Sequence, residues 1–152
     1  MTVRACVAIG ANLGDARAAV LRAMTDLDTL PETRVVARSS LYRSAPVDAS
    51  GPDFINAVVE LETGLEPEAL LRELQRLEFG AGRERPYRNA PRTLDLDLLC
   101  HGDVAMATQA LTLPHPRMAE RAFVLLPLAE IAPDRVTEAQ LRQVADQRIE
   151  RL

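Results

Sequence analysis

Lysine is absent from this chain, and all 18 of its basic residues are arginine. The absence excludes a P-loop lysine, a Schiff-base lysine and a lysine general base. A phosphate group on this protein must therefore be held by arginine, by a metal ion or by backbone amides. Tryptophan is also absent, and the aromatic residues are two tyrosines and three phenylalanines. Each of them is a candidate for a specific role as well as for packing.

Long hydrophobic runs are missing as well, and no segment approaches the length needed to span a bilayer. The apolar stretch at 2–10 is too short for a signal peptide, and the two cysteines, Cys6 and Cys100, lie in apolar, strand-like runs. We therefore expect buried thiols in a cytoplasmic protein, and neither a disulfide nor a metal-binding pair. The net charge of −4 disfavours a nucleic-acid partner.

The length of 152 residues fits one domain, 1–152, with a weakly patterned C-terminal tail at 136–152. Apolar periodicity and turn residues predict alternating strands and helices. The predicted strands are 3–9, 34–43, 54–63 and 94–99, and the predicted helices are 16–30, 67–79 and 118–126. The order β-α-β-β-α-β is the split βαβ arrangement. It predicts an α+β, ferredoxin-like fold with a mainly antiparallel sheet covered by helices in three α-β-α layers.

Two carboxylates, Asp95 and Asp97, sit two residues apart in an otherwise apolar, strand-like run. Because side chains alternate along a strand, both point the same way, roughly 7 Å apart, while Leu94, Leu96 and Leu98 face a core. Like charges on one face repel each other unless something neutralises them. The pair is therefore a candidate ligand set for one or two Mg²⁺ ions bridged by phosphate oxygens. Salt bridges with nearby arginines are the alternative.

An arginine-rich loop leads into that strand and contains Arg83, Arg85, Arg88 and Arg92. Forked guanidinium groups on such a loop suit a triphosphate, and a solvated basic loop is the alternative. Further along the chain, Arg117 and Arg121 lie near the start of the late helix and add positive charge. His115 stands between two prolines, where it either donates to a phosphate or serves as a turn residue.

A second kind of site is indicated at the start of the strand 54–63. Phe54 and Asn56 combine a flat aromatic ring with an amide, which suits stacking on a planar heterocycle and pairing with its edge. Phe123 is a candidate for the opposite face of that sandwich. The alternative for each phenylalanine is an ordinary place in the core.

In their order along the chain, these motifs resemble those of the 6-hydroxymethyl-7,8-dihydropterin pyrophosphokinases, a family of folate-pathway enzymes. The resemblance extends from residue 3 to about 133. The matching blocks are Ile9–Gly14, Ser39–Ser44, Pro52–Ala57, Gln75–Glu78, Gly82–Arg83, Pro91–Leu99, Leu113–Met118 and Arg121–Phe123. The acid-pair block and the block from His115 to Phe123 are together highly specific.

The resemblance implies transfer of the β,γ-pyrophosphate of ATP to the hydroxymethyl group of the pterin, with release of AMP. It implies two Mg²⁺ ions on Asp95 and Asp97, and stabilisation of charge during transfer by Arg83 and Arg92. The implied pterin-binding residues are Ser44, Ala45, Val47, Phe54, Asn56 and Phe123. The implied ATP-binding residues are Gln75, Glu78, Arg85, Arg92, Leu98, Thr112, His115 and Arg121. We expect a monomer that acts on these two small molecules, with neither a nucleic acid nor a membrane as partner.

The chain departs from the family pattern in two places. Asn89-Ala90 stands where many members have an aromatic-glycine pair, with Tyr87 as a candidate substitute, and Pro116 stands where an aromatic often follows the histidine. Three rival functions stay open on the residues themselves. They are a ferredoxin-like binding or regulatory module without transfer, a metal-dependent phosphohydrolase, and an RNA-binding domain, which the net acidity disfavours.

Overall fold

A computed structural model of the chain describes residues 1–46, 51–81 and 94–152. The strands are β1 (Val3–Ala11), β2 (Thr33–Arg38), β3 (Tyr42–Ser44), β4 (Phe54–Thr63), β5 (Asp95–His101), β6 (Met106–Ala107), β7 (Thr112–Leu113) and β8 (Ile149–Arg151). The helices are α1 (Ala16–Leu27), α2 (Pro67–Gly80), α3 (Ala122–Ile131) and α4 (Glu138–Gln143), with 3₁₀ turns at Met118–Glu120 and Pro133–Arg135. Within the described ranges, no helix has both the length and the apolar character needed to cross a membrane.

The helix starts follow local chemistry that the sequence carries. Asp15 caps α1, where its carboxylate accepts the Ala18 N–H at 3.1 Å, and α2 begins at Pro67, whose missing N–H costs nothing in a first turn. Both starts agree with the sequence-based prediction.

Six strands form one sheet in the order β5-β1-β4-β3-β8, and β2 also pairs with β4. Each described pairing in it is antiparallel. Strands β2 and β3 lie along the same side of β4, because β2 pairs with residues 59–63 and β3 with residues 54–56. The order β5, β1, β4, β2 is that of the predicted ferredoxin-like fold, which is therefore confirmed.

Two apolar cores cover the two faces of the sheet and give the predicted three layers. One core joins the sheet to α1 and α2 and includes Leu94, Leu96 and Leu98, as the alternation in β5 predicted. The other joins the sheet to α3 through residues such as Val58 and Val124. Asp95 and Asp97, which alternate with the three leucines, therefore lie on the α3 side of the sheet.

The two cysteines occupy directly opposed positions of β1 and β5, in the core beside α3. The register of this pair shifts between Cys6 and Val7, so Leu99 and Cys100 both face α3. Both thiols are buried, as predicted, and they are free in the structure. A hydrogen bond with Cys100, together with burial, raises the pKa of the Cys6 thiol.

The predicted strand 34–43 is wrong in one respect, because the structure divides it into β2 and β3. Ser39 lies at the break, where its N–H donates to the Val58 carbonyl and its hydroxyl accepts the Val58 N–H, both at 2.9 Å. The Ser40 N–H then donates to the carboxylate of Glu130 at 3.0 Å. Side-chain oxygens thus replace the regular backbone pairing, and the chain bends between the two strands.

The predicted helix 118–126 is also divided, into a 3₁₀ turn and α3. Arg121, between them, has an extended backbone with φ −125° and ψ 112°. The C-terminal tail, in which the sequence showed no clear pattern, contains α4 and β8. Thr137 and Gln140 form a capping box at the start of α4. Strand β8 pairs with β3. The tail is therefore part of the folded domain.

Candidate active site

A row across three strands brings the candidate amide and the first candidate carboxylate onto one face. Gly10 of β1 is opposite Asn56 of β4 on one side and opposite Asp95 of β5 on the other. Directly opposed residues of antiparallel strands share a face, so Asn56 and Asp95 stand two strand spacings apart, roughly 10 Å. A Cβ on Gly10 would lie 3.4 Å from Asn56 Oδ1 and 3.8 Å from the Phe54 ring. Glycine thus leaves an open floor between the two groups.

The carboxylates Asp95 and Asp97 are half-buried on that face, opposite Gly10 and Ala8 of β1. Carboxylate oxygens at this spacing are suitable ligands for a hard cation, which takes its other ligands from water and phosphate. Among the described residues, no group of three or more His, Cys, Asp and Glu side chains is placed to hold a metal. Asp95 and Asp97 are thus two carboxylates on one face of β5.

Glu78 of α2 lies against the outer edge of β5, the strand that carries both aspartates. It is 4% exposed, and one of its carboxylate oxygens accepts the Leu96 N–H at 2.8 Å. Leu96 stands between the two aspartates on β5, an end strand of the sheet. The buried carboxylate thus satisfies an edge donor of the strand that carries the acid pair.

Three of the residues implied to hold the pterin, Ser44, Phe54 and Asn56, lie together where β3 pairs with the start of β4. The Asn56 Nδ2 donates to the Ser44 hydroxyl at 2.7 Å in a buried contact. Ser44 is also the residue opposite Phe54 in the β3–β4 pairing. The hydrogen bond fixes the amide with its Oδ1 toward the floor above Gly10, since only its nitrogen is directed at Ser44.

Beside this amide is a small open pocket of about 120 Å³. Its lining residues are Ser44, Ala45, Pro46, Ala122, Phe123, Gln147, Arg148 and Ile149. The structure thus brings together Ser44, Ala45 and Phe123, which belong to the pterin set. It also adds a wall from the C-terminal segment.

His115 and Arg121 lie toward the acid pair. The His115 N–H donates to the Leu99 carbonyl at 2.9 Å, which ties the residue to β5. Burial, and then the charges of Arg121 and Arg117, lower the pKa of His115 below its ordinary value of 6.5, and Asp95 opposes the shift. The Arg117 N–H donates to His115 Nδ1 at 3.2 Å, so a neutral ring carries its proton on Nε2. This leaves Nε2–H as a donor.

Other residues of the implied ATP set are placed less directly. Gln75 and Thr112 are exposed, on α2 and β7 respectively. The Leu98 side chain is 3% exposed and lies in the core of the opposite face, so a contact from this residue to ATP has to come from its main chain. The remaining site residues lie outside the described residues: Val47, Arg83, Arg85, Arg88 and Arg92.

Two contributors were missing from the sequence-based site. Gly10 stood only within the family block Ile9–Gly14, and the register between β1 and its neighbours was needed to place it between Asn56 and Asp95. Gln147 lies in the unpatterned tail, where no periodicity or motif marks it. Its contacts with residues 120 and 122 are visible only in the folded chain.

The fold is a ferredoxin-like α+β domain, and one face of its sheet carries a buried amide, Asn56, and a pair of half-buried carboxylates, Asp95 and Asp97. Residues 6–133 match the family 7,8-dihydro-6-hydroxymethylpterin-pyrophosphokinase (HPPK). The chain belongs to this family and is a pyrophosphokinase.

Curated relatives support the same assignment. The 2-amino-4-hydroxy-6-hydroxymethyldihydropteridine pyrophosphokinase of Pseudomonas aeruginosa is 47% identical over 135 residues, which cover 88% of this chain and 83% of that protein. The enzyme of the same name from Haemophilus influenzae is 42% identical over 135 residues, covering 88% and 84%.

A solved structure supports the fold alone. The wild-type HPPK-DHPS of Plasmodium falciparum superimposes with a TM-score of 0.68 at 13% identity. The match covers 88% of this chain and 42% of that chain. This chain thus spans less than half the length of the Plasmodium protein.

Proposed function

We propose that the chain transfers the β,γ-pyrophosphate of ATP to the hydroxymethyl group of 6-hydroxymethyl-7,8-dihydropterin, releasing AMP, as a step of folate biosynthesis. The observation that carries the proposal is the row Asn56–Gly10–Asp95, in which a buried amide and a candidate metal ligand lie on one face of the sheet with only a glycine between them. Family membership supports the reaction. Transfer of this kind depends on positioning and charge neutralisation more than on covalent catalysis, so no protein nucleophile is required.

Asp95 and Asp97 are the residues of this chain that would hold Mg²⁺, which when bound neutralises phosphate charge and orients the transferred group. They fit the ion because both are oxygen ligands on one face of β5. Glu78 contributes indirectly, because it holds the strand that carries them.

The pterin would lie over Gly10, with its edge paired to Asn56 and to the chain around Ser44, Ala45 and Val47. The hydrogen bond from Asn56 to Ser44 orients the amide before the substrate arrives. Phe54 and Phe123 would stack on the two faces of the ring, which excludes water from it.

The phosphates would meet His115 and Arg121 at the other end of the floor. A neutral His115 donates from Nε2, and Arg121 supplies a permanent charge beside it. Arg83 and Arg92 would stabilise charge in transfer, and the other proposed ATP-binding residues are Gln75, Glu78, Arg85, Leu98 and Thr112. The monomeric state and the cytoplasmic location stay predictions.

The direct test measures AMP release from MgATP and the hydroxymethyldihydropterin. We expect AMP and pterin pyrophosphate in equal amounts, and activity that disappears when a chelator removes the divalent cation. Release of ADP or inorganic phosphate would identify a phosphohydrolase instead. Calorimetric binding of both substrates without turnover would favour a binding module.

The metal assignment is tested by Asp97→Asn, with Asp103→Asn as the matched control. Asp103 is an exposed acid in the turn after β5. We expect Asp97→Asn to lower kcat/KM by about a hundredfold or more, because even outer residues of metal sites cost about 10–100-fold. The fold, followed by circular dichroism, should be retained. Wild-type turnover in this variant would rule out Asp97 as a ligand.

A further inference from the structure

The break between the 3₁₀ turn and α3 is bridged by the side chain of a residue distant in sequence, Gln147. Gln147 Oε1 accepts the Ala122 N–H at 2.9 Å, and Gln147 Nε2 donates to the Glu120 carbonyl at 2.7 Å. The amide thus takes up one main-chain group on each side of Arg121. Because the backbone of Arg121 is extended, the helix is interrupted there. The Gln147 amide therefore supplies hydrogen-bond partners to main-chain groups at the two helix ends.

The bridged segment supplies one residue to each half of the site. Arg121 lies close enough to His115 to influence it electrostatically. Phe123 lines the pocket with Ser44 and Ala45. The Arg121 guanidinium also lies 5.5 Å from the centroid of the Phe123 ring, so the two side chains form one unit.

From this geometry we infer that Gln147 is a positioning residue for the reaction: it holds the turn that presents Arg121 to the phosphates and Phe123 to the pterin. The inference rests on the proposed function. It assigns the C-terminal segment, through Gln147, a part in substrate binding. Gln147 also lines the pocket, but the proposed effect comes from its hydrogen bonds with the main chain at Glu120 and Ala122.

If Gln147 served only the fold, its loss would lower the thermal stability and leave substrate binding unchanged. Gln147 is an exposed residue, and hydrogen bonds of this kind contribute little net stability. A small displacement of a binding group, in contrast, can reduce catalysis strongly. Loss of Gln147 is therefore expected to affect substrate binding more than the thermal stability of the fold.

The experiment uses Gln147→Met, which keeps the length of the side chain and removes both hydrogen bonds, with Gln143→Met as the matched control. Gln143 is an exposed glutamine at the end of α4. We expect kcat/KM to fall by about tenfold for Gln147→Met, mainly through KM for both substrates, with Tm lowered by a few degrees at most. Gln143→Met should match the wild type.

A second arm separates positioning from unspecific damage. In an Arg121→Ala background, Gln147→Met should no longer raise KM for ATP, while it should still raise KM for the pterin through Phe123. Additive effects on ATP, unchanged kinetics in Gln147→Met, or an equal effect of Gln143→Met would overturn the inference. Equilibrium titration of the pterin and of a non-hydrolysable ATP analogue gives the same comparison without turnover. The Gln147 result therefore stands apart from the assay of the proposed function.

Discussion

At the scale of single residues, Gly10 lies between Asn56, the proposed pterin-binding amide, and Asp95, the proposed metal ligand. It has no side chain to occupy the space between Asn56 and Asp95. The contacts that a Cβ would make there, 3.4 Å to Asn56 and 3.8 Å to Phe54, are tolerable for the folded chain. In the proposed function, the missing side chain keeps this space open for the substrate.

We predict that Gly10→Ala raises KM for the pterin by about tenfold, because the added methyl group lies on the floor beside Asn56 and lifts the ring. KM for ATP and the Tm should change little. Gly80→Ala, at the end of α2 with nothing within 4 Å of the added Cβ, is the control. Kinetics with each substrate varied in turn check the prediction, which fails if pterin and ATP are affected alike.

The sequence predicted the strand positions of those candidate residues that lie on regular strands. Alternation in β5 separates Asp95 and Asp97 from the buried leucines without any knowledge of tertiary structure. Asn56 and Phe54 follow from residue chemistry at a strand start, although their distance from Asp95 depends on the register with β1. Gln147 lies 25 residues from the N–H that it binds, and neither charge nor periodicity links the two. Such a contact can be found only from the folded chain.

At the scale of secondary-structure elements, residue periodicity and turn residues predicted helices and strands best where the main chain forms hydrogen bonds only with other main-chain groups. They failed at Ser39 and Arg121, where side chains take over main-chain groups. In the first case the hydroxyl of Ser39 pairs with β4 and divides one predicted strand into β2 and β3. In the second, the amide of Gln147 divides one predicted helix. Tertiary hydrogen bonds explain both differences.

Strand β5 offers a test at this scale, because Glu78 both supports its edge and belongs to the proposed ATP set. We predict that Glu78→Ala destabilises the protein by about 1–3 kcal/mol, since it leaves the buried Leu96 N–H without its acceptor. Glu78→Gln keeps an oxygen acceptor and should retain most of this stability. Urea denaturation measures both variants.

The same two variants separate stability from activity. If the charge of Glu78 also serves ATP, Glu78→Gln lowers kcat/KM while the free energy of unfolding stays near that of the wild type. Equal activity of Glu78→Gln and the wild type would limit the role of Glu78 to the strand. Glu73→Gln, elsewhere on α2, serves as the control for removal of a carboxylate charge.

At the scale of the whole molecule, the C-terminal segment closes the domain on the side opposite β5. Strand β8 extends the sheet beyond β3, and Gln147 joins the segment to the start of α3. Composition predicted a single domain but left this part without a role, because its few apolar residues show no clear period. The order of the central strands, in contrast, followed from the succession of predicted elements.

Glu130 of α3 connects these outer parts of the molecule. Its carboxylate accepts the Ser40 N–H at 3.0 Å and the Ser40 and Tyr42 hydroxyls at 2.9 Å each, and Arg151 of β8 lies at 3.5 Å. Burial alone would raise the pKa of Glu130, but hydrogen bonds from Ser40 and Tyr42, together with Arg151, outweigh it and lower the pKa below its ordinary value of 4.5. The ionised carboxylate therefore favours the folded state.

The sign of this shift sets the pH dependence of stability. A carboxylate with a lowered pKa in the folded state stabilises the protein fully above its unfolded value, near 4.5, and loses this contribution as the pH falls through its folded value. We predict that Glu130→Gln lowers Tm at pH 7, and that this variant loses less Tm than the wild type as the pH falls below about 5. Glu138→Gln, whose side chain is 94% exposed, is the control and should follow the wild type. Parallel Tm curves for Glu130→Gln and the wild type would show that Glu130 does not connect α3 to the outer strands through its charge.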